Sequence, residues 1–183
     1  MTLKIIAGKF KGRFLKAPKT NTTRPTQGML REAVFNICQN EVDEARFLDL
    51  FAGSGAMGLE ALSRGAAHAV FVEKNRQALV CIKDNISALE VEKQTLILPT
   101  DAARALEILL KQAAQFELIY VDPPYETPLD LTSLAPLLSP NGTLFVEERH
   151  QPKKVHQPIE LPGLKLKETR RFGIALLSIY QKS

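Results

Sequence analysis

Residues 47–58, FLDLFAGSGAMG, read as the end of a buried strand, a glycine-rich turn and the start of a helix. Phe47 to Phe51 has the length and apolar character of a strand. Met57 to Arg64 carries apolar residues at helical spacing until Gly65 stops it. The alternation continues downstream. Ala69 to Glu73 predicts a strand, Arg76 to Leu89 a helix and Thr95 to Leu98 a strand, and Asp101 caps a helix running to about Ala114. Leu118 to Asp122 predicts another strand, and Pro128 the first turn of a helix ending near Leu138. Thr143 to Val146 is a strand after an Asn141-Gly142 turn. Leu164 to Arg171 and Ile174 to Tyr180 are separated only by a Phe172-Gly173 turn, so that pair must be antiparallel. Strands alternating with helices predict an α/β fold with a mainly parallel sheet covered on both faces. Such sheets bind ligands at the carboxyl ends of their strands.

Upstream, Leu3 to Ala7 and Gly12 to Lys16 read as two short strands of a hairpin, and Ala17 to Pro25 as a Pro/Thr/Asn linker. Thr26 is placed to cap a helix whose Leu30, Ala33, Val34, Ile37 and Cys38 fall on one face. The expected division is a basic hairpin and linker over 1–25 and one catalytic-sized domain over 26–183. With 183 residues, 45% of them apolar, the chain suits a single full-sized core. No apolar run approaches the roughly 18 residues of a membrane helix, and none resembles a secretory leader, so a cytoplasmic protein is expected. Cys38 and Cys81 are read as reduced, small apolar residues. No Cys/His spacing suits zinc, so no metal is expected.

The net charge of +4 is unevenly spread. Residues 1–31 hold eight Lys/Arg and no acid, leaving 16 basic and 20 acidic groups to the rest. A basic arm on a mildly acidic body, with Phe10 and Phe14 among its charges, suits a polyanionic partner.

The glycine loop alone leaves two cofactors open. Gly53, Gly55 and Gly58 fit G-x-G-x-x-G, and Glu73 lies 20 residues after Gly53, as a dinucleotide site requires. Asp49 favours S-adenosylmethionine, because a carboxylate there meets the donor's amino end and would repel a pyrophosphate. Glu73 then binds the ribose hydroxyls and Asp101 the adenine amine.

Asp122-Pro123-Pro124-Tyr125 ends the strand Leu118 to Asp122. An amino group on a nucleobase is a poor nucleophile, since its lone pair is delocalised into the ring. It needs two acceptors that hold its N–H bonds and turn the nitrogen towards a tetrahedral shape. The Asp122 carboxylate and the Pro123 carbonyl supply them, the prolines stiffen the loop, and Tyr125 offers a face for the base to stack on.

These motifs resemble the class I methyltransferases, and more narrowly the bacterial 16S ribosomal RNA guanine-N2 methyltransferases of the RsmD type. The resemblance covers nearly the whole length. It is carried by Ile5 to Gly8 with Lys11 to Arg13, Arg24-Pro25-Thr26, Arg31 to Asn36, Phe51 to Gly55, Gly58 to Ala66 and the Asp122 to Tyr125 tetrapeptide. It implies a Rossmann-like sheet of seven strands, the last antiparallel, with the hairpin as an extension. S-adenosylmethionine would be the donor and N2-methylguanosine in small-subunit rRNA the product. By the same resemblance the cofactor is held by Thr26, Arg31, Asp49, Phe51, Ala52, Gly53, Ser54, Gly55, Glu73, Lys74, Asp101 and Ala102. Lys9, Lys11, Arg13, Arg24, Arg170 and Arg171 would hold RNA, free or in an assembling small subunit, with the enzyme a monomer. Gly28 and Met29 stand where such proteins usually carry an acid and a base. The competing readings are a DNA adenine-N6 methyltransferase, an amino methyltransferase acting on protein or a small molecule, an NAD-dependent oxidoreductase and a non-catalytic RNA-binding module.

Overall fold

The computed structural model describes residues 3–18, 25–124, 130–150 and 158–182. After the hairpin come α1 (Pro25–Ile37), β1 (Arg46–Asp49), α2 (Ala56–Ser63), β2 (His68–Val72), α3 (Arg76–Leu89), β3 (Thr95–Leu98) and α4 (Ala102–Lys111). β4 (Phe116–Val121), β5 (Leu138–Arg149), β6 (Leu164–Phe172) and β7 (Ala175–Lys182) complete the chain. The seven strands form one sheet in the order β3-β2-β1-β4-β5-β7-β6. β1 to β5 pair in parallel, while β7 runs antiparallel to both β5 and β6. This is the expected architecture, final antiparallel strand included.

Two apolar layers sandwich the sheet. On one face Phe47, Phe71, Tyr120 and Phe145 pack against α1, α2, α3 and the hairpin. On the other, Leu48, Val70, Ile119 and Leu144 pack against α4 and the segment before β5. Successive strand residues alternate between these layers, as a pleated sheet requires. No helix among the described residues is long and apolar enough to cross a membrane.

Several boundaries differ from expectation for identifiable reasons. α1 begins at Pro25, so Thr26 lies inside its first turn rather than capping it; proline suits that position because its missing N–H would have no helical partner there. Leu131–Leu137, with Pro136 inside it, is a 3-10 helix capped by Asp130 instead of an α-helix from Pro128, a residue outside those described. Asn141, at φ 61°, forms an irregularity within β5 rather than a turn ahead of it, and β5 starts at Leu138. The last turn falls one residue later, at Gly173-Ile174.

The hairpin is stapled to the body. Lys4 and Phe14 form its single antiparallel bridge, flanked by Ile5 N–H to Arg13 C=O at 3.0 Å and Leu15 N–H to Leu3 C=O at 2.9 Å. It does not extend into two full strands, because the Ile6 and Ala7 N–H groups turn away to Glu60 of α2, at 2.8 and 2.9 Å. Ile5 and Leu15 join the core. Gly8 sits so tightly on the end of α2 that a Cβ there would lie 1.8 Å from the Ser63 carbonyl oxygen.

Candidate active site

Asp49 ends β1, Asp122 directly follows β4 and Glu147 lies two residues before the end of β5, and the strand register gathers all three. Asp49 pairs across from Tyr120, which pairs across from Phe145, so these residues share a face. Asp122 and Glu147, each two residues further on, return to that face. All three carboxylates and Tyr120 line one solvent-open cleft. Its other wall is the glycine loop with Arg31 and Leu30 of α1.

Hydrogen bonds fix that loop. Ala52 N–H donates to the Val72 carbonyl at 2.9 Å, and Gly55 N–H closes a tight turn on the Ala52 carbonyl at 2.7 Å. Gly55 has φ 78°, a left-handed conformation that glycine adopts without strain. Glu73 accepts Gly53 N–H at 2.8 Å and Asn75 N–H at 2.7 Å, so it ties the loop to the end of β2. One acceptor position on each of its oxygens remains for a ligand hydroxyl. Gly58 serves packing: a Cβ there would come 2.4 Å from the Phe71 ring.

The carboxylates are strongly perturbed. Burial pushes the Asp49 carboxyl up to about 7, against the opposing pull of the Gly58 N–H bond at 3.2 Å. Burial also pushes Asp122 up to about 7, and the charges of Glu147 and Asp49 add to it. Glu147 is raised by burial, while a 2.5 Å hydrogen bond donated by the Tyr120 hydroxyl works the other way. Tyr120 itself is held well above the ordinary phenol range, first by burial and then by Glu147, so it stays a donor. Closely packed carboxyls that resist ionisation are suited to receive a cation, whose charge favours their ionised forms.

The residues present fit S-adenosylmethionine on that ground. Asp49 is 1% exposed and makes one backbone hydrogen bond, which leaves buried acceptor capacity for an ammonium group beside the loop. Phe51, Ala52, Gly53 and Ser54 line the cleft with it. Gly55 lies beneath, shaping the turn. Arg31 also lines the cleft, but its Nη2 is engaged with the Lys4 carbonyl at 2.9 Å and its Nε lies 3.7 Å from Glu60. Asp101 caps α4 through Arg104 N–H at 2.9 Å and stays exposed, with Ala102 buried behind it; Lys74 is exposed after β2. Pro123 and Pro124 follow Asp122. Arg24, Tyr125 and the Thr26 side chain lie outside the described residues.

The basic residues do not converge. The hairpin's ends reach the cleft through Leu3 and Ala17. Its tip, where Lys9 N–H donates to the Ser63 carbonyl at 2.7 Å, sits at the far end of α2. That helix has eight residues, about 12 Å at 1.5 Å per residue. Arg13 reaches the Ala88 carbonyl at 2.6 Å. Arg170 and Arg171 stand at the carboxyl end of β6, level with Leu177 and Leu176 and hence with Glu147 and Glu148. Arg170 is paired with Glu168 at 2.8 Å, and Arg171 donates to the Gly173 carbonyl at 3.0 Å.

A family model described as "Conserved hypothetical protein 95" matches residues 3–181. The chain belongs to this family. Among its relatives, "Putative rRNA methyltransferase YlbH" of Bacillus subtilis (strain 168) is 36% identical over 185 residues, 98% of this chain and 99% of that one. "Ribosomal RNA small subunit methyltransferase D" of Escherichia coli (strain K12) is 35% identical over 145 residues, 79% of this chain and 71% of that one. The solved structure of yhhF from Escherichia coli superposes with a TM-score of 0.85 at 28% identity, covering 100% of this chain and 99% of that one. Membership in the conserved hypothetical protein 95 family bears out the resemblance to the RsmD type, and the sheet order is that of the class I methyltransferase fold.

Tyr120, Glu147 and Glu60 escaped the sequence reading. Glu147 carried a usable signal, since it is the first charged residue after an apolar strand, as Glu73 and Asp122 are. Glu60 is the one charged residue of α2.

Proposed function

We propose that this chain transfers a methyl group from S-adenosylmethionine to the exocyclic N2 amine of a guanosine in small-subunit ribosomal RNA. The observation that carries the reading is the shared cleft: Asp122 of the tetrapeptide and Gly53 of the cofactor loop line the same cavity as Asp49. The names of the relatives support the rRNA substrate.

When bound, S-adenosylmethionine supplies a methyl carbon made electrophilic by the sulfonium it leaves. The chain does the positioning. Asp49 and the glycine loop hold the donor's charged end. The Asp122 carboxylate and the Pro123 carbonyl accept the two N–H bonds of the amine and aim its lone pair. As that nitrogen becomes cationic, Asp122 stabilises it and accepts the proton it sheds. A carboxyl pushed up to about 7 is matched to that task at neutral pH. The base must leave its stack to reach Asp122, which costs only about a few kcal/mol in a loop.

Arg170 and Arg171 stand at the level of the cleft, and the hairpin that carries Lys9, Lys11 and Arg13 has its tip at the far end of α2, a helix about 12 Å long. The test is to supply labelled donor with DNA, naked rRNA and assembled small subunits, then digest to nucleosides for mass spectrometry. N2-methylguanosine from rRNA or subunits is expected. N6-methyladenosine from DNA, or label on protein alone, would overturn the reading.

A further inference from the structure

We infer that Glu147 is the residue that selects guanine, by accepting the ring N1–H that lies beside the amine Asp122 holds. The inference rests on the function proposed above and deepens it.

Three nucleobases carry an exocyclic amine. In adenine and cytosine the amine has one ring-nitrogen neighbour, and that nitrogen has a bare lone pair. Guanine's amine has two, N3 with a lone pair and N1 with a hydrogen, so guanine alone offers an N–H beside its amine. A site that methylates guanine N2 therefore faces two adjacent donors, and it can reject the other two bases by placing a second acceptor beside the first.

Glu147 is that acceptor by position. Tyr120 and Phe145 are register partners, so Asp122 and Glu147, each two residues further on, sit side by side on one face near the carboxyl ends of neighbouring parallel strands. Both line the cleft. Tyr120 biases Glu147 towards accepting as well. The Tyr120 hydroxyl donates to Glu147 Oε2 at 2.5 Å. That bond stabilises the carboxylate and pins it, leaving Oε1 to accept. Tyr120 belongs to β4 and is buried at 4% exposure, so the pin is part of the sheet and is set before any base arrives. A carboxylate so held meets guanine N1–H as a charge-assisted hydrogen bond, and meets the lone pair of adenine N1 or cytosine N3 as repulsion. Tyr120 acts through Glu147 and is a positioning residue.

The experiment uses the full chain and 16S rRNA whose methylated guanosine has first been mapped by nucleoside mass spectrometry. That position is then rebuilt by ligation with 2-aminopurine, which keeps the 2-amino group but has no hydrogen on N1. The wild-type enzyme is expected to methylate it roughly 10- to 100-fold more slowly in kcat/KM than guanine, the worth of one hydrogen bond to a charged group. In Glu147→Gln the gap should narrow at least severalfold, because the glutamine amide can donate to the bare N1. The lost O6 affects both enzymes alike, so the change in the ratio isolates residue 147. Equal wild-type rates on the two bases would overturn the inference, as would parallel losses in Glu147→Gln. Should that variant not fold, the wild-type ratio decides alone. A mapped product other than N2-methylguanosine instead overturns the function on which the inference rests.

Discussion

Replacing Glu60 with alanine should unfold the hairpin from the body and cost about 3–5 kcal/mol of stability, the usual consequence of removing one partner from a buried ion pair. The carboxylate is 0% exposed. It accepts the Ile6 and Ala7 N–H groups and Arg64 Nε at 2.8 Å, and lies 3.7 Å from Arg31 Nε. Alanine would strand two backbone donors, at about 1–3 kcal/mol each if they stay buried, beside two cations whose side chains are 14% and 7% exposed. Water entering behind a detached hairpin relieves part of that sum, which keeps the net near the stated range. For a chain of this size the loss corresponds to a fall in Tm of roughly 6–20 °C. Urea unfolding followed by near-UV circular dichroism would give the free energy. Hydrogen exchange at Ile6 and Ala7 would report the hairpin directly, with both amides losing protection. A loss below about 1 kcal/mol, with those amides still protected, would refute the claim that Glu60 fastens the hairpin.

Other outcomes follow from the same geometry. Asp49 and Asp122 have folded values near 7 against an unfolded 3.8, chiefly through burial. The folded state therefore binds more protons than the unfolded one, and stability of the unliganded protein falls as pH rises from about 4 to about 7. Asp49→Asn should gain on the order of 1–3 kcal/mol over wild type above pH 7 and nothing below pH 4, while losing donor affinity by calorimetry; an unchanged pH–stability profile would contradict the assignment. The kcat/KM should rise with pH through about 7 as Asp122 of the free enzyme ionises, and a flat profile from pH 5 to 9 would remove it as proton acceptor. Gly8→Ala should destabilise by about 2 kcal/mol or more in urea, because its Cβ meets the Ser63 carbonyl and φ is +79°. Reversing the charges of Lys9, Lys11 and Arg13 should flatten the salt dependence of RNA binding; an identical slope would take the hairpin out of the RNA surface.

Periodicity marked the parallel sheet well, because buried strands and amphipathic helices differ in repeat. α3 came out at Arg76–Leu89, with Asn75 accepting the Gln77 and Ala78 N–H groups as its cap. Elements set by tertiary contact were less legible. Leu131–Leu137 has apolar residues at a spacing that suits either helix type, and Pro136 with its neighbours fixes the tighter one. The hairpin looked like a free arm in charge terms, since nothing local announces that Glu60, some 50 residues on, will claim its N–H groups. In the site, Asp49, Gly53 and Asp122 were readable from their places at strand ends. Glu147 and Tyr120 become partners only through the β4–β5 register, which depends on the irregularity around Asn141.

The most direct test of the whole account is Asp122→Ala, assayed for both turnover and donor binding. We expect no detectable methyl transfer to rRNA, with S-adenosylmethionine affinity within about tenfold of wild type, or roughly 1.4 kcal/mol. Methyl transfer by that variant at the wild-type rate would contradict it.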